Sequence, residues 1–467
     1  MTFLGLDLGS SFIKGAVLAL DPMALHHVER LPFPAAVRGL SPGIREFDPT
    51  EVIEVTRAVL ERLYRHAPEA EGILICSQLH SLVFSTPDGK AVSRIINWQD
   101  QRALQPFPGS SGTYFDEIER RLTAEERRVT GNEARPGVPL CFLYWLAQHR
   151  QLPHPETIAC ALPNFIVSHL TGATPKSDVT NAFAHGALDV RTLDWHRGVC
   201  ARLGLEAVRW PEIVPQGTVL GEWHVGGKRL PIFAPVGDYH CSQVGAFLEE
   251  DELSVNISTG SAVIQLANGC EFGDFQTRPW FDGRYLRTIT HIPGGRALQA
   301  LLRLLSELAL VQGVELEDPW GYILREAQAV GTTSLRLDPA FYFSAMGQCG
   351  SITNVREETL TAGHIFRAAF QGMADNYARC AARITPEKNW RQVVFSGGLA
   401  LKTPLLRELV CERLGGKTRF RLAASEDDTL LGLLTLALAF SGRAKSVSEA
   451  ICRARTSFSS TAPHGTC

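Results

Sequence analysis

What this 467-residue chain lacks narrows its class before any motif is read. Its eleven cysteines scatter from Cys76 to Cys467 without a C-x-x-C pair, so neither a disulfide framework nor a zinc site is indicated. A reducing cytoplasm fits that usage best. No basic cluster offsets the net charge of −3, which argues against nucleic acid or an anionic membrane as the main partner. The longest apolar stretch, Leu430 to Phe440, contains Gly432 and Thr435 and is too short to span a bilayer. It reads as a buried helix. The N-terminus enters an apolar strand directly, without the charged region and apolar core of a signal peptide.

Two common nucleotide-binding signatures are missing as well. No G-x-G-x-x-G follows a strand, which removes the Rossmann reading. Gly416-Lys417-Thr418 ends like a P-loop, but the upstream glycine position holds Cys411; Gly226-Gly227-Lys228 fails in the same way, with Glu222 upstream and Arg229 following. The histidines show no metal-ligand spacing.

What is there begins at Phe3 to Lys14, FLGLDLGSSFIK, which reads as strand, tight turn and returning strand. Gly9 permits the positive φ that a two-residue turn often needs, and Ser10 and Ser11 bring N–H groups and hydroxyls to the tip, where a phosphate could sit. Asp7, at the strand end, suits a hydrated Mg²⁺ beside a nucleotide, since that ion keeps most of its waters and takes one or two carboxylates. An ordinary hairpin with a surface acid accounts for the same residues equally well. Near Leu253 the plan repeats: Leu253 to Ile257 is a strand, Ser258 to Ser261 a turn, and Ala262 to Ala267 a returning strand. Two such hairpins half a chain apart suggest a duplicated domain with a nucleotide between the halves.

Between the hairpins the chain alternates short apolar strands with longer helices, the pattern of an α/β fold. Pro22, Pro32, Pro34 and Pro42 mark a loop-rich segment, Thr50 to His66 an amphipathic helix, and Gly72 to Cys76 a buried parallel strand. Phe115 to Val129 reads as one charged helix. Two polar clusters follow strand ends, Gln78 with His80, and Trp98 with Asp100 and Arg102, where ligands bind in open α/β sheets. Taken singly, His80 is a satisfied core histidine, and the second group an aromatic beside a surface ion pair. Asp238 closes the apolar strand Pro231 to Val236, and Cys241 to Leu248 reads as the start of a helix. A carboxylate there is either a general base or a helix N-cap. Later come a strand, Val393 to Ser396, running into Gly397 and Gly398, and helices over Pro404 to Leu414 and Asp427 to Ser441.

Taken together, in this order, these motifs resemble the FGGY carbohydrate kinases of the actin, sugar kinase and heat-shock ATPase superfamily, over nearly the full length. FLGLDLGSSFIK is similar to the first phosphate motif, NISTGSAVIQLA to the second and FSGGLALKTPLLRELV to the adenosine motif. SQLHS and WQDQR resemble the ketose-site pattern, and APVGDYHCSQVGA the segment with the catalytic aspartate. The resemblance implies two actin-like (ribonuclease H-like) α/β domains, 1–248 and 249–467, around a nucleotide cleft, a cytoplasmic kinase, and room for a homodimer. It implies ATP and Mg²⁺, with Asp7 at the metal and Asp238 as base. Ser10, Ser11, Lys14, Thr259, Gly260, Ser261, Gly397, Gly398 and Lys402 fall on the nucleotide, and Gln78, His80, Trp98, Asp100, Arg102 and Asp238 on the sugar. Sedoheptulokinases, then xylulokinases, are the nearest pattern. Leu79 and Ser81 around His80, the order Thr259-Gly260, Tyr239 and Lys402 depart from it. The competing classes are a non-kinase actin-like ATPase and a sugar-responsive binding protein with a degenerate site.

Overall fold

The computed structural model describes residues 1–416 and 418–458, and the backbone of 464–466. Lys417, the centre of the discarded P-loop match, lies outside the described residues. Thr2–Leu8 (β1) is buried along almost its whole length because it sits inside a sheet, antiparallel to Phe12–Leu20 (β2) and parallel to Ile73–Ser77 (β4). The hairpin register pairs Asp7 with Lys14 and Leu8 with Ile13, so four residues form the loop rather than two. Gly9 has no positive φ. Its glycine is required by crowding instead, since a Cβ would come within 2.9 Å of the Phe12 carbonyl oxygen.

Met23–Pro32 (β3) continues the sheet where the prolines suggest loops. As an edge strand it is exposed over much of its length, so it lacks the apolar alternation that marks a half-buried strand. Val219–Val225 (β5), Lys228–Phe233 (β6) and Val236–Gly237 (β7) complete the first sheet, in the order β5-β6-β4-β1-β2-β3 with β7 beside β4. The second sheet uses Glu252–Ile257 (β8), Gly260–Ala267 (β9), Gln276–Pro279 (β10), Tyr285–Pro293 (β11), Gln392–Ser396 (β12), Arg419–Leu422 (β13) and His464–Thr466 (β14). Its order is β10-β11-β9-β8-β12-β13-β14. In each sheet an antiparallel three-strand set, β3-β2-β1 or β11-β9-β8, is followed by a parallel strand, β4 or β12.

Helices fill the layers around the sheets. Pro49–His66 (α1) covers the outer face of the first sheet with Val52, Val59, Leu60 and Leu63. Asp238–Gly245 (α2) and Asp428–Phe440 (α6) lie between the sheets, in one core that joins Phe3, Leu18 and Leu74 to Ile264, Leu266 and Val394. Gly295–Val311 (α3) and Ala362–Ile384 (α4) cover the far side of the second sheet. A short helix, Gly398–Lys402 (α5), follows β12, and Val447–Phe458 (α7) packs beside α6. The expected single helix Phe115 to Val129 is two, Tyr114–Arg121 and Ala124–Val129, because Thr123 with Glu126 builds a second capping box. Among the described residues no helix is long and apolar enough to cross a membrane.

The closest approach in the middle layer is made by glycine. A Cβ on Gly245 would overlap the Asp428 carbonyl oxygen, and one on Gly432 would overlap that of Cys241. Backbone therefore rests on backbone where α2 crosses α6. Gly432→Ala is expected to force the helices apart and cost about 1–3 kcal/mol, read as a lower denaturation midpoint. Gly331→Ala, placed in open space, serves as the near-neutral control; equal stability of both variants would contradict the crossing.

Candidate active site

β1 and the crossing helices bring three carboxylates together. Asp7 ends nearly buried, its Oδ2 accepting from Thr429 Oγ1 at 2.7 Å and its Oδ1 buried without a partner. Lys14 Nζ stands 3.9 Å from Asp7 and 3.4 Å from Asp427, which also meets Arg30 Nη2 at 3.2 Å. Burial raises the Asp7 carboxyl above its ordinary value, opposed by Lys14. Asp428, the first residue of α6, is pushed up to about 7 by burial and then by the charge of Asp7.

Asp238 is the first residue of α2, so the helix starts three residues earlier than Cys241, and the capping position falls on Gly237. Among the described residues its Oδ1 accepts from the adjacent Tyr239 N–H alone, at 2.7 Å. Burial first, then Asp7 and Asp428, drive its carboxyl up to about 8, against a smaller opposing pull from Arg278. Among the described residues no group of three acids, histidines or cysteines is arranged to ligate a metal directly. The orphaned Asp7 Oδ1 fits an Mg²⁺ ion held through water.

The second polar cluster lines the same side of the first sheet. His80 sits at φ 57°, its Nδ1 2.8 Å from the Ala184 carbonyl oxygen. Burial lowers its pKa to about 4, so the ring is neutral; with Nδ1–H donating to Ala184, Nε2 is left as an acceptor. Gln78 accepts from Asn97 Nδ2 at 3.2 Å while its own Nε2 is buried without a partner. Trp98 is 39% exposed.

Asp100 and Arg102 correct the sequence expectation. They are 0% and 1% exposed. Arg102 Nε and Nη2 each meet Asp100 at 2.9 Å, Nη2 also donates to Glu46 at 2.7 Å, and Asp100 accepts the Arg45 N–H. Neither offers surface for a sugar, and the ion pair is buried rather than superficial. It buttresses the loop that carries Trp98.

On the opposite wall a cavity of about 970 Å³ is lined by Ser258, Thr259, Arg296, Trp320, Gly398 and Lys402, among others. α3 enters it with no side-chain cap on its N-terminus; the Gly295 and Arg296 N–H groups donate to the Ser258 and Thr259 carbonyl oxygens, so what the helix start offers the cavity is its positive dipole end. Gly397, at φ 85°, lies where a Cβ would overlap Ser258 Oγ, which holds the β12 turn against the β8 turn. Lys402 pairs with Glu426 at 3.2 Å. Ser10 is half-buried and Ser11 exposed at the first tip, as is Gly260 at the second. Ser261 is a second correction: 4% exposed, its Oγ 2.9 Å from Tyr377 Oη, it faces the core and not the cavity.

Sequence reasoning missed Asp428 and Thr429, which look like an ordinary acidic helix start. It also missed Arg278, whose Nε lies 2.5 Å from Glu133 Oε1 in a fully buried pair that ties β10 to the N-terminal half. Its guanidinium stands 4.5 Å from the Tyr239 ring centre. Nothing in the sequence links positions 133 and 278.

Residues 2–237 match the family profile described as the N-terminal domain of the FGGY family of carbohydrate kinases. A sedoheptulokinase from Mus musculus is 23% identical over 87% of this chain and 91% of its own length. A xylulose kinase from Staphylococcus xylosus is 24% identical over 65% of this chain and 64% of its own. Among solved structures, a Plasmodium falciparum glycerol kinase with ADP superposes with a TM-score of 0.82 at 17% identity, covering 97% of this chain and 92% of that one. The fold is thus the two-domain actin-like fold of sugar kinases.

Two outcomes are expected. Arg102→Ala leaves the Asp100 charge buried and unpaired, so stability should fall by about 3–5 kcal/mol in a denaturant titration, with the sugar KM of the folded fraction little changed. Asp238 has its folded pKa raised from 3.8 to about 8, so ionising it costs stability as pH climbs through that window. Asp238→Asn should therefore melt higher than wild type at pH 8 to 9, the gain shrinking to nothing toward pH 4. A pH-independent difference would refute the shift.

Proposed function

Since the chain belongs to the FGGY family of carbohydrate kinases, we propose that it transfers the γ-phosphoryl group of ATP to a hydroxyl of a ketose, sedoheptulose or a related sugar such as xylulose. The observation that carries this reading is Asp238: a carboxylate with a single neighbouring N–H for a partner, set between the Asp7 loop and Arg278. A hydroxyl is a poor nucleophile, and the γ-phosphate is shielded by its own charge. The site needs a base, an in-line approach and donors around the phosphates.

In this reading Asp238, once ionised, takes the proton of the attacking hydroxyl. Its high pKa keeps it basic enough to do so, and positive charge arriving with the nucleotide would draw the pKa down toward working pH. Gln78 Nε2 and His80 Nε2 orient the sugar as one donor and one acceptor, and Trp98 closes the mouth of the site. Ser10, Ser11, Lys14, Thr259, Gly260 and the start of α3 surround the phosphates, while Gly397, Gly398 and Lys402 border the adenosine. Mg²⁺, held by Asp7 through water, supplies the charge that offsets the phosphates. Sliding or hinging of the halves about the α2–α6 crossing would bring the γ-phosphate to the sugar and shut out water.

A non-kinase ATPase would have no use for an unpartnered Gln78 amide beside a buried acid. The sedoheptulokinase likeness over most of both chains favours a long ketose. The test is a coupled ADP-release assay with a panel of ketoses and polyols. Asp238→Asn should lower kcat by at least about 10²-fold while the ATP dissociation constant stays near wild type. His80→Ala should raise the ketose KM and leave the ATP KM nearly unchanged. Retained turnover in Asp238→Asn would end the base assignment.

A further inference from the structure

A second cavity, of about 400 Å³, lies between the two halves. Arg127 and Arg135 line it from the first half, and Gln276, Phe343 and Arg383 from the second. None of the residues assigned above to the nucleotide, the sugar or the metal borders it. Its walls are already joined. Asn132 Nδ2 donates to the Phe275 carbonyl oxygen at 2.8 Å, and Phe115 meets Phe343 edge to face with ring centres 6.1 Å apart.

The charges around this space do not cancel. Three arginines line it beside two acids, Glu119 and Asp274. Arg383 Nε lies 2.8 Å from Asp274 Oδ2, and Arg127 Nη1 lies 3.7 Å from Glu119 Oε2. Glu133, close by in the chain, is taken by Arg278, at 2.5 and 3.1 Å, and by Gln276. Arg135 is left over. Half-buried, it donates from Nη1 to the carbonyl oxygens of Asn132, at 3.3 Å, and Ala134, at 2.9 Å, and has no ion pair among the described residues. Nε and Nη2, the edge with which a guanidinium grips an oxyanion by two parallel bonds, have no acceptor among them. Burial lowers the pKa of Arg135 against the pull of Glu133, so its charge is held at a cost that an anion would offset.

We propose that this cavity binds a small metabolite carrying an oxyanion, a phosphate ester or a carboxylate, with Arg135 as the charged donor. A planar fork of N–H groups suits either. Phe275, Ile289 and Phe343 supply apolar wall for the carbon body. The volume falls within the range of ordinary small-molecule sites, about 300–1,000 Å³. Asp238 does not border the cavity, so a molecule bound there is not the phosphoryl acceptor.

The experiment is isothermal calorimetry of the full chain, saturated with Mg²⁺ and a non-hydrolysable ATP analogue so that the two hairpin tips are occupied. Glucose 6-phosphate and glucuronate are the probes, and glucose is the neutral control. At least one anion should bind about 10-fold or more tightly than glucose, the scale of one charge-assisted hydrogen bond, and the one that does so identifies the oxyanion. Arg135→Gln should abolish that advantage, while Arg135→Lys, which keeps the charge and loses the fork, should retain part of it. Because Arg135 has no carboxylate partner, the melting temperature of Arg135→Gln should hold or rise; a fall would mark a structural cation and count against the site. The assignment is overturned if neither anion outbinds glucose in wild type, or if Arg135→Gln keeps the anion preference. No turnover enters the measurement, so its failure leaves the kinase reading standing, and a failed ADP-release assay leaves this site standing.

Discussion

Everything at the centre of this protein hangs on two helices meeting without side chains between them. Gly245 and Gly432 let α2 and α6 touch backbone to backbone, and each helix begins, one or two turns away, with an acid of the site. Were the crossing wider by a methyl group, Asp238 and Asp428 would recede from Asp7 together. The apolar layer that holds the crossing draws side chains from both sheets. The burial that packs the two halves also sets the spacing of the carboxylates.

That spacing is electrostatically unfavourable. Beyond burial, the charge of Asp7 raises the pKa of both Asp238 and Asp428, and that of Asp428 raises Asp238 further, while Lys14 is the nearest relief for Asp7. Packing holds the acids where their mutual repulsion would scatter them, which is how a site stores sensitivity to an arriving cation. The buried Glu133–Arg278 pair works in the other direction. It clamps strand β10 of the second sheet to the first half and points a guanidinium toward Asp238 without neutralising it.

The parts legible in the sequence are those whose signal is local. The two hairpins and the helix Pro404–Leu414 follow from runs and punctuation that lie within a dozen residues, whereas the expected strand Pro231 to Val236 is two, Lys228–Phe233 and Val236–Gly237. β3 was illegible because an exposed edge strand needs no apolar alternation. Arg278 was illegible because its partner is 145 positions away. Asp100 and Arg102 stand at the expected point in the chain, yet a motif gives position and not depth: a pair read as a surface ion pair or a sugar clamp is instead sealed under the loop it supports. Ser261 failed likewise, since a turn has an inner and an outer side and its neighbour Gly260 took the outer one.

Two buried polar atoms of the site have no hydrogen-bond partner, although others away from it, Tyr144 Oη and Asn164 Oδ1 among them, have none either. Leaving a buried polar atom unpaired costs about 1–3 kcal/mol, and a well-packed fold has few reasons to keep such atoms. Here Asp7 Oδ1 and Gln78 Nε2 are both unpartnered, at the ends of the neighbouring strands β1 and β4, one an acceptor and one a donor. Arg102, equally buried, has carboxylate oxygens of Asp100 and Glu46 within reach. The difference follows from what each group awaits. Arg102 completes its bonds on folding. Asp7 Oδ1 and Gln78 Nε2 are left as one acceptor and one donor open to a polar ligand.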